Sequence, residues 1–101
     1  MTAAPASVLR GRYPELFRFI EAGECGLGYS PKVREFWLRV RDGDVVQQIS
    51  FCPFTGQALP DPLRTRFFDE LEALGLDGGL ADVERAPSEF QSEAWWIGRN
   101  L

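Results

Sequence analysis

From Tyr13 onward, apolar side chains recur at helical spacing: Tyr13, Leu16, Phe17 and Ile20 share one face. Pro14 suits the first turn and Gly23 is placed to end the helix. The next stretch, 23–31, holds three glycines and a proline and reads as a loop. At Val33 the period changes to two. Phe36, Leu38 and Val40 fall on one face, with Glu35, Trp37, Arg39 and Arg41 on the other, the signature of a half-buried strand. Asp42-Gly43 is a type I′ hairpin dipeptide, and 45–51 supplies the returning strand. A two-residue turn opposes Val40 to Val45 and Phe36 to Ile49, and sets Gln47 against Leu38, which places that end of the face at a core edge.

After Cys52-Pro53-Phe54-Thr55-Gly56 comes a second helix. Asp61 can cap it, Pro62 fits N1, and Gly75 follows Leu74 as terminator. Leu63, Phe67, Leu71 and Leu74 make one stripe, widened by Phe68. An acidic, glycine-containing loop over 77–84 leads to a tail with Phe90, Trp95, Trp96 and Ile97. That tail is expected to lie back over the hairpin or the helix, because its large aromatics would otherwise form an exposed patch. The order helix, hairpin, helix, aromatic tail predicts a small single α+β domain over 13–101, behind a flexible leader at 1–12.

A chain of 101 residues suits one core, and 45% hydrophobic with 26% charged residues is the balance of a globular protein. Histidine is absent, which removes His-based triads, His metal ligands and His pH switches. The net charge of −4 argues against a general nucleic-acid binder. The charge is uneven, however: 1–41 carry seven basic and four acidic residues, whereas 42–101 carry four and eleven. No apolar run approaches the ~20 residues of a membrane span, and 1–12 lack the apolar core of a signal peptide. A cytoplasmic protein with two reduced thiols is the expectation.

Each cysteine stands at the first position of a turn that could be half of a zinc knuckle. Such a knuckle needs C-x2-C spacing to aim two thiolates at one ion. Thr55 occupies the second position after Cys52, and Gly28 the second after Cys25. Two thiolates without histidine do not complete a tetrahedral site, so neither metal nor cofactor is expected. The segment from Cys52-Pro53-Phe54-Thr55-Gly56-Gln57-Ala58-Leu59-Pro60, through Leu63-Arg64 and 67–75, to Pro87, Glu89-Phe90 and Ala94-Trp95-Trp96 resembles a family of small bacterial domains of unknown function. Those proteins carry a CPxCG knuckle, an LPxSxRDxWFDxLExLG helix and a terminal WW pair. The resemblance covers about half the chain and implies a degenerate zinc-ribbon-like knuckle. Thr55 replaces the second knuckle cysteine, Pro62 the serine, and Thr65 the aspartate after Arg64.

Two places are candidate binding sites. Arg64 falls on the apolar side of its own helix, where a guanidinium must be paired with a tail carboxylate such as Glu89 or Glu93, stacked on Phe68 or Trp96, or aimed at an anionic ligand. The outer hairpin face interleaves Trp37 with Arg39 and Arg41. Trp37 is either covered by the first helix or the tail, or it anchors a partner. Tryptophan and arginine are the commonest protein hot-spot residues, and the same stripe could stack nucleic-acid bases. The acidic balance ranks a protein partner above nucleic acid. The sequence therefore predicts a non-enzymatic interaction or regulatory module, with no catalytic residues and no membrane association.

Overall fold

The computed structural model describes residues 7–23, 25–41 and 45–101. The fold is α+β: helices α1 (Pro14–Ala22), α2 (Arg64–Ala73) and α3 (Ala94–Gly98) accompany strands β1 (Leu27–Ser30), β2 (Glu35–Arg39) and β3 (Val46–Ile49). Short 3-10 helices span Gly79–Arg85 and Ser88–Gln91. The chain divides into two compact units, one made of residues up to Ser30 with Glu35–Asp61, the other of Pro31–Arg34 with Pro62–Leu101.

The first unit is a three-stranded antiparallel sheet in the order β1-β2-β3, with α1. The hairpin register is the expected one: Phe36 faces Ile49, Leu38 faces Gln47, and the Val40 N–H donates to the Val45 carbonyl at 3.1 Å. The Asp42-Gly43 turn itself lies outside the described residues. Strand β1 was not expected, since 23–31 read as a loop. It pairs with β2 over Leu27↔Leu38 to Ser30↔Glu35 and completes the sheet. Leu27 and Tyr29 share a face with Phe36, and Phe17 of α1 meets Tyr29 and Phe36 edge-on at 5.3 and 5.7 Å between ring centroids. Tyr13 packs on Phe36 at 6.4 Å while its hydroxyl donates to the Ala58 carbonyl at 2.8 Å. Residues 7–12, within the stretch expected to be a loose leader, form successive turns in which Leu9 is buried; 1–6 lie outside the described residues.

The second unit is irregular. Phe67 and Leu71 are the buried positions of α2, and Phe67, Phe90 and Trp95 form a ring cluster with centroid separations of 5.6–6.0 Å. The tail aromatics are buried, as their size required. Helix α2 starts at Arg64 rather than Pro62: Leu63 stands at its N-cap with φ −118° and ψ 21°, and its N–H donates to the Val33 carbonyl at 2.7 Å. Asp61 accordingly is not its cap residue, a position that Leu63 fills. At the other end Gly75 (φ 83°) closes a Schellman motif, with Leu76 N–H on Leu71 O and Gly75 N–H on Glu72 O, both 2.9 Å. Leu74, expected in the apolar stripe, stands at this cap and is exposed.

Candidate functional site

Alternation along β2 puts Glu35, Trp37 and Arg39 on the sheet face opposite Phe36 and Leu38. Cross-strand pairing adds Gly28 and Ser30 from β1 and Val46 and Gln48 from β3. Trp37 is half-buried, and strand β1 supplies a seat for its ring. A Cβ built on Gly28 would clash with carbons of the indole's six-membered ring, so glycine at this position is what lets the ring lie on the strand. The indole N–H donates to Ser30 Oγ at 3.3 Å and fixes the ring's direction. Helix α1 packs through Phe17 on Phe36, which lies on the opposite face of the sheet.

Arg39 pairs with exposed Val46 and is itself exposed. Arg41, also exposed, lies beyond the end of β2. Neither guanidinium joins an ion pair among the described residues, whereas Arg10 pairs with Glu21 and Arg18 with Glu15. The structure thus brings Trp37 and Arg39 together on one face, with Arg41 two residues further along the chain.

Arg64 belongs to the second unit, at the first residue of α2, and is exposed rather than buried in the apolar stripe. The helix begins at this residue, so the side chain sits at the helix end, before the buried positions Phe67 and Leu71. Two other arginines of this unit are seated against aromatic rings. Arg34, 8% exposed, stacks over Trp96 at 5.0 Å and donates to the Leu101 carbonyl at 2.9 Å. Arg99 lies over Phe90 and Trp95 at 5.2 and 5.8 Å and pairs with Glu89 and Glu70. Arg99 follows Trp95 by one helical turn, a spacing visible in the sequence; Arg34 meets Trp96 only through the tertiary fold.

Residues 17–98 match a family described as a domain of unknown function, DUF6980. The chain belongs to this family. No curated protein and no solved structure matches it. The DUF6980 match takes in the sheet face, both cysteines and the paired tryptophans.

Within that span the two cysteine turns differ. Cys25 is exposed, and Cys52 is buried; neither is in a disulfide. The Cys52 turn closes on itself, with Gly56 N–H on Cys52 O and Cys52 N–H on Gln57 O, both 2.8 Å, and Gly56 at φ 76°. Burial pushes the Cys52 thiol up. Hydrogen bonding with the Thr55 side chain and with the backbone at Phe54 and Thr55 favours the thiolate and leaves the net position below that of an ordinary thiol. Thr55, at the place where a second thiolate would stand in a knuckle, donates its hydroxyl to Gln57 Oε1 at 3.2 Å and accepts from the Gln57 N–H. No helix of the described residues is long and apolar enough to cross a membrane.

Proposed function

We propose that this chain is a non-enzymatic protein-interaction module that docks its partner on the outer sheet face around Trp37, Arg39 and Arg41. The observation that carries the reading is the seat of Trp37. A large amphipathic ring is held flat on Gly28 and tied to Ser30 before any partner arrives, so little rotamer freedom remains to be lost on binding. Arg39 stands on the same face with no ion pair among the described residues to break first. Anchors of this kind dominate protein interfaces, with arginine and apolar neighbours around them. The chain's net charge of −4 supports a protein occupant over a polyanion.

The test is capture of partners from the native host by the wild type and by Trp37→Ala/Arg39→Ala, with far-UV circular dichroism confirming that both are folded. The reading expects one partner set to disappear from the double variant. In titrations of the purified partner, Trp37→Ala alone weakens binding by at least about 30-fold. An unchanged partner set overturns the reading. Tight, steeply salt-dependent binding of a single-stranded oligonucleotide would overturn it in favour of a nucleic-acid module.

A further inference from the structure

The turn between β1 and β2 is held by residues far from it in the chain. Pro31-Lys32-Val33-Arg34 joins Ser30, the last residue of β1, to Glu35, the first of β2. Arg34 stands at φ 52°, in the left-handed region that glycine and asparagine enter freely and other residues seldom do. The turn contains neither of those two residues, so its own sequence does not favour this backbone. The side chain of Arg34 supplies what the sequence lacks. Although charged, it is buried, with its guanidinium over the Trp96 ring and one N–H on the Leu101 carbonyl. The carbonyls before it are taken as well: Pro31 by the Trp96 indole N–H, Lys32 by that of Trp95, and Val33 by the Leu63 N–H. A strained residue persists where its surroundings over-determine it, and here those surroundings are mainly Trp95, Trp96 and Leu101.

The residues that flank this turn belong to the Trp37 face. The Arg39 N–H donates to the Gly26 carbonyl at 2.9 Å, which makes Ser30↔Glu35 a hydrogen-bonded pair and the last one before the turn. Ser30 also carries the Oγ that accepts the Trp37 indole N–H. At 3.3 Å that bond is already long, so a small shift of Ser30 loses it. We infer that Arg34 is a positioning residue for Trp37. The seated tail holds Arg34 in its left-handed conformation, that conformation closes the Ser30↔Glu35 pair, and the pair presents Ser30 Oγ to the indole. The influence runs along the chain, through residues 30–35. For its functional meaning it rests on the docking role proposed above for Trp37, and it makes the tail the element that readies the anchor.

The experiment is hydrogen exchange on the full chain, read by NMR at the Trp37 indole N–H and at single backbone amides. Arg34→Ala keeps a Cβ at the left-handed position and removes the guanidinium. The Trp37 indole N–H and the Ser30 and Glu35 amides are expected to exchange about tenfold faster in it. The Leu38 amide, which bonds to β3, changes by less than about twofold. Arg34→Gly also lacks the guanidinium but enters the left-handed region freely, and returns all three rates to within about threefold of wild type. Trp96→Phe keeps a ring and drops the bond to Pro31; it raises the same three rates alone and not when combined with Arg34→Gly, and it carries the test should Arg34→Ala fail to fold. Unchanged exchange at Trp37 in the folded variants overturns the inference. So does an Arg34→Gly variant as fast as Arg34→Ala, or a rise that Leu38 shares equally. The readout needs no partner, so this coupling stands or falls here, while the docking reading stands or falls on capture by Trp37→Ala/Arg39→Ala.

Discussion

The two units bury aromatic rings for different reasons. In the first, a regular ladder satisfies the backbone, so Phe17 and Phe36 contribute apolar area and ring contacts and little else. In the second, much of the chain is turns and short 3-10 helices whose carbonyls have no ladder to enter. There the indoles have two tasks. Trp95 fills the Phe67–Phe90 cluster and donates its N–H to the Lys32 carbonyl at 2.6 Å, and Trp96 donates to the Pro31 carbonyl at 2.8 Å. Where the backbone is irregular, a buried aromatic that carries a donor replaces the missing secondary structure.

The sharpest test compares truncation with isosteric change in each unit. Trp95→Ala and Phe36→Ala each remove a ring that is no more than 1% exposed, and each is expected to cost about 3–5 kcal/mol in denaturant unfolding. Trp95→Phe keeps most of the area but leaves a carbonyl without its donor, adding about 1–3 kcal/mol to the packing loss. Phe36→Leu removes no hydrogen bond and should stay below about 2 kcal/mol. If Trp95→Phe costs no more than Phe36→Leu, the distinction between the units fails.

A second test asks where the units are alike. Both α1 and α2 end with a left-handed glycine, Gly23 at φ 70° and Gly75 at φ 83°, with open space around each Cβ position. Gly23→Ala and Gly75→Ala should therefore cost the same, about 1 kcal/mol, from backbone conformation alone. A large difference would show that one cap depends on packing.

The smallest expected effect is electrostatic and belongs to the second unit. A hydrogen bond from Arg66 holds the Glu70 carboxyl below the ordinary glutamate range, against partial desolvation and with help from Arg99. A depressed carboxylate contributes stability that is complete above the unfolded-state pKa and is lost as pH falls through the folded one. Glu70→Gln should lower stability at neutral pH, by less than either glycine change, and flatten the acid limb of the stability profile. An identical acid limb in wild type and variant would remove Glu70 from the account.

Much of this was legible in the sequence where the signal is local. Helix α1, the hairpin register and the Leu38–Gln47 mismatch follow from periodicity and turn chemistry. Strand β1 escaped because its glycine looked like loop punctuation, whereas Gly28 is small to make room for Trp37 across the sheet. The onset of α2 escaped because Leu63 takes a non-helical backbone and bonds to Val33, thirty residues away, and neither is signalled by the local Asp61-Pro62 pattern. At the site, Trp37 and Arg39 on one face follow from alternation, but the seat beneath the ring does not. Arg34 was missed because its stacking partner lies far along the chain.

The turn Pro31–Arg34 sets an order of events. Its carbonyls are made first, and the indole N–H groups that claim them arrive 63 and 65 residues later. Until then β1 and β2 can pair through local contacts, while the turn between them waits in water. Closing so long a loop costs chain entropy that only the finished cluster offsets. The first unit is therefore expected to gain its sheet while the chain is still growing, and the second to form in a single late step, when Trp95 and Trp96 become available together.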